Sequence, residues 1–168
     1  MDDLNIRPGR EEDLPALLEI HNHFVRETPV TFETEEATLE NRREWFRGFD
    51  ETGPHQLLVA EKFDEVLGYA TSTRFHERPA YAPSVMTSVY LQPDQTGQGI
   101  GKALYQALLD SLKKTGKVHR AYGLIRIPNP ASEHLHEKLG FLDVGLLHEA
   151  GHKLGSYQSI RIYERRMD

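Results

Sequence analysis

The stretch SVMTSVYLQPDQTGQGIGKALYQALL, residues 84 to 109, restricts the fold more than any other part of the chain. Val85, Thr87, Val89 and Leu91 alternate as a strand does, and Pro93 closes the run. Three glycines follow at alternate positions, Gly97, Gly99 and Gly101. An amphipathic helix comes next, from 99 to 114, with Ala103, Leu104, Ala107, Leu108, Ser111 and Leu112 as its apolar face. A second strand is expected from 119 to 127. A helix of this length can cross over a sheet, so the two strands are expected to be parallel.

The rest of the chain adds elements on either side of that unit. A short strand is expected at 4 to 7. Glu11, Glu12 and Asp13 then put acid in a first helical turn, ahead of Leu14, Leu17, Leu18, His21 and Val25 at helical spacing. A second helix, 39 to 49, carries Leu39, Trp45, Phe46 and Phe49, with its arginines expected in solvent. Residues 56 to 75 read as a hairpin turning at Phe63 to Glu65, and 76 to 84 as a loop broken by prolines. A helix from 131 to 139 is stopped by Gly140, and two more strands fill 141 to 167. The expected class is α/β: a mixed, mostly antiparallel sheet of six to seven strands with helices on both faces. One domain is expected over residues 1 to 168.

What could the glycine turn hold? A P-loop fails by counting: Gly101-Lys102 is present, but Thr96 stands at the first glycine position and Ala103 follows the lysine. A dinucleotide fingerprint fails too, because Lys102 or Leu104 occupies its last glycine position. Two readings remain. The turn is either an ordinary helix start or an anion site, in which glycine backbone and unpaired first-turn N–H groups hold a pyrophosphate.

Composition narrows the classes. The chain has no cysteine, which removes disulfides, thiolate metal sites and a cysteine nucleophile. Its formal charge is −6, the wrong sign for a non-specific nucleic-acid binder. The opening residues MDDLNIRPG are acidic and polar rather than signal-like, and no apolar run approaches membrane length, so a soluble cytoplasmic protein is expected. HEAGH, 148 to 152, matches a zinc-protease pattern, but glycines punctuate it and strand is expected there, whereas that chemistry needs a helix. The pairs His21/His23 and His134/His136 are spaced to point apart on a helix. No metal is expected.

Two motifs decide between the readings of the turn. TGQGIGKAL after VYL, and Asn129 with HLHEKLGF after the next strand, resemble the GNAT acyl-CoA N-acyltransferases. That family's loop is [RQ]-x-x-G-x-[GA], and Thr96 to Gly101 matches it except that Thr96 replaces Arg or Gln. Further pieces fall in order along the chain: HNHFVRETPVTFETE, LLVAE, VLGYA, RPAY, SVYL and AGHKLGSY. Together they resemble the phosphinothricin and methionine sulfone acetyltransferase branch, which implies acetyl-CoA as cosubstrate, a small amino-acid-like amine as acceptor, and a homodimer. The resemblance implies coenzyme contacts at Val89, Tyr90, Leu91, Gly97, Gln98, Gly99, Ile100, Gly101, Lys102, Asn129, Ser132 and His136. His136 is also implied as general acid toward the leaving thiolate. It places Phe32, Arg78, Tyr81, Met86 and Tyr157 at the acceptor.

Two departures stand out. The branch's strand reads T-V-E-x-T-V-Y-V, and its glutamate is the proposed general base; Met86 stands there and cannot accept a proton. An amine of pKa about 10.4 would then need roughly 4.6 kcal/mol to become neutral at pH 7, but an α-amino group of pKa about 8 needs only about 1.4. Three readings follow. The base could lie elsewhere, with His76, Glu77 or Glu33 as candidates; the acceptor amine could have a low pKa; or the chain could bind acyl-CoA without catalysis. Downstream, the branch's K-x-G-x-W-x-D pattern is met by Lys153 to Ser159, with Tyr157 for the tryptophan and Ser159 for the aspartate. With no cysteine and no serine in a nucleophile elbow, direct attack of amine on thioester is expected. The zinc hydrolase of HEAGH is the alternative from another class.

Overall fold

The computed structural model describes residues 3–168. Seven strands form one sheet in the order β1-β2-β3-β4-β5-β7-β6: β1 (Asn5–Pro8), β2 (Leu57–Lys62), β3 (Glu65–Arg74), β4 (Ser84–Leu91), β5 (Arg120–Ile127), β6 (Leu142–Lys153) and β7 (Ser156–Arg166). Among the described residues only the β4–β5 pair is parallel. The mixed, mostly antiparallel sheet is the one expected.

Its faces follow from strand alternation. Along β2, Leu57 and Val59 point to one side, where they meet Leu14, Leu17 and Ile20 of α1 (Leu14–Glu27). Leu58 and Ala60 point to the other side, where they meet α3 (Ile100–Thr115). The short helix α2 (Leu39–Phe46) joins α1, and α4 (Pro130–Lys138) lies on the α3 side. Both hairpins turn on two residues with positive φ, Phe63-Asp64 and Leu154-Gly155, a geometry that fits the right-handed twist of the flanking strands.

Two expectations need correction. The buried face of α3 is Ile100, Leu104, Tyr105, Leu108, Leu109 and Leu112, so Tyr105 and Leu109 take the places assigned to Ala103, Ala107 and Ser111. The helix turns its largest side chains to the sheet and leaves the small ones at the margin, because buried area favours bulk. In α2, Arg42 is buried rather than solvated, with its guanidinium carbon 4.5 Å from the Trp45 ring centroid.

β4 and β5 each run eight residues but pair only at Ser84–Arg120, Val85–Ala121 and Met86–Tyr122. Beyond Met86 they part, leaving a wedge-shaped gap inside the sheet.

Candidate active site

The gap is the cleft. Thr87, Ser88, Val89 and Tyr90 form one wall; Leu124, Ile125 and Arg126 form the other. Val89, Tyr90 and Leu91 are hydrogen-bonded to β3 on their other side, so the backbone groups of β4 that face the gap have no strand to pair with.

The wide end of the wedge opens toward the glycine turn. Gly97 and Gly99 have φ of +77° and +81°, and a Cβ on either would meet nothing within 4 Å, so their backbone lies open to an approaching group. Gly99 is the N-cap of α3, no side chain caps that helix, and its first turn holds no acid. The N–H groups at Ile100, Gly101 and Lys102 therefore present donors and the positive end of the helix dipole together. Gly101 serves packing: a Cβ there would sit 3.4 Å from Leu91, so glycine lets α3 start close against the end of β4. Gln98 turns its amide toward Asp94 and Gln95.

α4 closes the other side. Asn129 is its N-cap and accepts from the Ser132 N–H at 3.3 Å. One turn later His136 lies directly over β5, which Gly123 makes possible: a Cβ there would be 2.5 Å from His136 Nε2. His136 is 4% exposed. Its Nδ1 is 2.8 Å from the Ser132 carbonyl, which can only accept, so Nδ1 carries a proton. Nε2 is 3.1 Å from the Tyr105 hydroxyl, which is 2.7 Å from Thr87 Oγ1. Burial pushes the His136 pKa below its ordinary 6.5, against the Ser132 hydrogen bond, so the ring is neutral near pH 7.

The sequence matches the Acetyltransferase (GNAT) family over residues 17–141, which spans the cleft, the glycine turn and α4. The chain is a GNAT acetyltransferase. It is 48% identical to a phosphinothricin N-acetyltransferase of Streptomyces coelicolor, over 97% of this chain and 96% of that one. It is 32% identical to an L-methionine sulfoximine/L-methionine sulfone acetyltransferase of Pseudomonas aeruginosa, over 98% and 95%. A phosphinothricin acetyltransferase from Sinorhizobium meliloti, solved in complex with acetyl-CoA, superposes with a TM-score of 0.92 at 28% identity, covering 98% of this chain and 88% of that one.

A GNAT acetyltransferase uses acetyl-CoA, and this chain's open glycine backbone, uncapped helix start and unpaired strand edge suit a pyrophosphate and an amide-bearing arm. Around the narrow end of the wedge, Met86 pairs with Tyr122 on β5, and both point to the α1 face. Phe75 stacks between Tyr122 (4.5 Å) and Tyr81 (5.6 Å), and His76 lies 4.9 Å from Tyr81. Arg78 stands in the same loop, beside Arg74 and His55. Met86, Tyr81 and Arg78 thus belong to one neighbourhood.

Phe32 and Tyr157 have their neighbours at the β6–β7 hairpin. Phe32 lies against Gly151 near the tip of the β6–β7 hairpin. Tyr157 is 68% exposed beside His152, seven residues along β7 from Glu164, the partner of Tyr122. At a strand rise of about 3.3 Å that is on the order of 23 Å away. The loop bearing Phe32 is tied down by Lys153, whose buried ammonium donates to the Thr31 carbonyl at 2.8 Å.

Of the carboxylates and imidazole named as possible bases, Glu33 accepts from or pairs with His21 at 3.1 Å, while His76 and Glu77 are exposed in the loop before Tyr81. HEAGH runs along β6, and Glu149 sits at φ +49° in a bulge, so its histidines do not share a helix face. Among the described residues no group of three or more His, Asp or Glu side chains could hold a metal ion.

Sequence reading missed Tyr105, Thr87 and Tyr122 as parts of the site. A signal for the first two existed. A threonine within an apolar strand and a tyrosine amid helix leucines each bring a hydroxyl into the core, where it must find a partner.

Proposed function

We propose that the enzyme acetylates the α-amine of a small amino-acid-like acceptor of the phosphinothricin or methionine sulfone type, by direct attack of the amine on the acetyl-CoA thioester. The observation that carries this reading is the divided strand pair. One end of the wedge opens on the anion-binding glycine turn, which takes the pyrophosphate, while Val89 to Leu91 and Asn129 flank the pantetheine arm. The other end opens on the Tyr81, Phe75, Tyr122 and Met86 surface, which takes the acceptor. The named activities of the relatives support the acceptor class. Arg78 is the cation available to an acceptor carboxylate. His136 is the imidazole of the cleft, and Met86 leaves the acceptor to supply its own neutral fraction.

The test is coenzyme A release from acetyl-CoA with L-phosphinothricin, L-methionine sulfone and a lysine ε-amine peptide as acceptors. Turnover is expected with one or both amino acids and not with the peptide, and kcat/KM should rise with pH until the acceptor's own amine is neutral. Acetylation of the peptide alone would overturn the acceptor class.

The reading includes a second copy of the chain and a cytoplasmic location, where acetyl-CoA is supplied. Among the described residues no helix is long and apolar enough to cross a membrane. β6 is a 12-residue edge strand with Leu142, Val144, Leu146 and Leu147 exposed, a combination that soluble proteins cover. A partner across this edge would also let a Tyr157 approach an acceptor surface it cannot reach in its own chain. Light scattering should give twice the 19.3 kDa chain mass, and Leu147→Arg should give monomer. A wild-type monomer at micromolar concentration would sink the dimer.

A further inference from the structure

A cavity of about 190 Å³ lies between the end of α2 and α3, beside the point where β1 meets β2. It shares no lining residue with the cleft. Phe46, Phe49, Leu57 and Leu58 give it apolar walls. Gln56 and Ser111 add uncharged polar groups, and the exposed Asp50 and Glu51 stand at its rim. Among the described residues that line it there is no Lys, Arg or His. Gln56 sets this cavity apart from an ordinary surface hollow. It is 2% exposed and continues the β2–β3 ladder. Its N–H donates to Ser72 Oγ at 2.8 Å, and its carbonyl accepts from the Ser72 N–H at 2.9 Å. Strand alternation then turns its side chain to the α3 side, with Leu58 and Ser111. The side-chain NH2 donates to the Gly53 carbonyl at 2.9 Å. That carbonyl can only accept, so the orientation of the amide is settled and Oε1 points the other way. Oε1 is buried, and no protein group donates to it. A buried amide oxygen is rarely left in that state.

We propose that this cavity is a second binding site, for a small organic cation: a primary ammonium on an apolar body about the size of a benzene ring. The walls take the body, since an apolar cavity of about 150 Å³ accommodates benzene. Gln56 Oε1 takes one N–H of the ammonium. An ammonium has three donors and no acceptor, which suits a lining whose unpartnered buried atom is an acceptor. Asp50 supplies the opposite charge. The Thr52 N–H and hydroxyl both donate to Asp50 Oδ1, at 2.8 and 3.0 Å, and fix the carboxylate in place. Those bonds are the chief reason that its pKa lies below the usual value, so it is ionised at neutral pH. Lys117 also acts on Asp50, but it does not line the cavity. An anionic ligand would meet two carboxylates and no cation on the lining. No group of the cleft takes part, so the site stands apart from the acceptor proposed above.

The cavity is also distant from the glycine turn. Ser111 lies twelve residues along α3 from its N-cap Gly99, on the order of 18 Å at a helical rise of about 1.5 Å per residue. Coenzyme A at the turn and a cation in the cavity can therefore be bound together. The protein carries its own reporter of occupancy. Phe49, one of the walls, meets Trp45 edge-on with ring centroids 4.7 Å apart, and Trp45 is the only tryptophan in the chain. A ligand that displaces water from Phe49 changes the surroundings of Trp45, so its emission should shift.

The test is calorimetric titration of benzylamine into protein saturated with coenzyme A, with benzyl alcohol and benzoate as comparisons. Benzylamine should bind with a Kd below about 1 mM and shift the Trp45 emission. Benzyl alcohol, which keeps the shape and a donor but lacks the charge, should bind at least about fivefold more weakly, and benzoate should not bind. Asp50→Asn, at an exposed position, should remove most of the preference for amine over alcohol. Gln56→Leu, which takes away the buried oxygen, should weaken both by at least about fivefold. Ser111→Phe fills the cavity from α3 and should abolish both while coenzyme A still binds. Wild-type protein that ignores benzylamine overturns the site. So does benzylamine binding that is undiminished in Ser111→Phe and Gln56→Leu, since the ligand would then lie elsewhere. Equal binding of benzylamine and benzoate overturns the cationic ligand. If coenzyme A itself did not bind, the reading of the cleft would fail, and the same titration without it would still decide this one.

Discussion

Gly99→Asp should weaken acetyl-CoA binding by at least about 100-fold, or about 2.7 kcal/mol, while leaving the protein folded. The two effects separate because the substitution acts oppositely on helix and ligand. An acid at the start of α3 complements the helix dipole and would by itself stabilise the fold by a few tenths of a kcal/mol. The φ of +81° strains a non-glycine residue by about 1 kcal/mol, but aspartate and asparagine tolerate this region best. A Cβ there meets nothing within 4 Å, so the new side chain is not excluded sterically from the apoprotein. It would instead stand in the space where the pyrophosphate approaches, and its charge would oppose it. Gly99→Asn controls for shape and strain and should cost binding much less. Calorimetry with both variants, alongside melting curves, gives the answer. Equal losses for Asp and Asn would assign the glycine to packing rather than to anion recognition.

The second large effect lies away from the cleft. Asp13 is 5% exposed and accepts from both terminal guanidinium nitrogens of Arg7 at 2.8 Å, with a third bond from the Arg10 N–H at 2.7 Å. Arg7 also donates to Glu61 at 2.8 Å, so one cation ties β1, β2 and the start of α1 together. Arg7→Met should destabilise the fold by roughly 3–5 kcal/mol at pH 7, because it leaves a buried carboxylate without its partner. Burial alone would raise the Asp13 pKa; the Arg7 and Arg10 bonds overcome it and hold Asp13 below its usual value. In the wild type, then, this ion pair's contribution is present above about pH 4 and is lost as pH falls through the lowered folded pKa. In Arg7→Met only the burial and the Arg10 bond remain. The folded pKa should rise above the unfolded one, so the variant's deficit should be largest at neutral pH and shrink toward pH 4. Denaturant melts of both proteins at pH 4 and pH 7 test this. A deficit that does not change with pH would mean that Arg7 contributes by packing its stem, not by its charge.

The order of elements could be read from the sequence because it rests on alternation and punctuation, which are local. Pro93, the glycine turn and Gly140 mark where strands and helices stop, and the structure stops them there. The family could be read from short motifs whose glycines and asparagine have backbone tasks. The buried face of α3 was misplaced because residues 103, 107 and 111 lie on a plausible stripe, and periodicity alone cannot say where its centre lies. Only packing against β2, β3 and β4 reveals that Tyr105 is at the middle. The Thr87–Tyr105–His136 row was hidden for a different reason. Its members are 18 and 31 residues apart, on a strand and two helices, and no spacing rule connects them. Arg42 was misjudged because a charge run on a short helix is usually solvated, and its burial depends on Trp45 one turn away. Tyr157 could be named as an aromatic residue but not located, since the length of the last hairpin fixes its distance from Met86.

The parting of β4 and β5 also divides the labour between two kinds of chemical identity. Whatever lies along the gap is met largely by main-chain groups, and the main chain is the same whichever residue carries it. Grip on the cosubstrate can therefore survive wide sequence drift. The acceptor end is met by side chains, which a single codon can replace. A scaffold built this way can change its clientele without relearning its chemistry, and the methionine at 86 and serine at 159 are the sort of alterations it would tolerate while its acyl donor stayed the same.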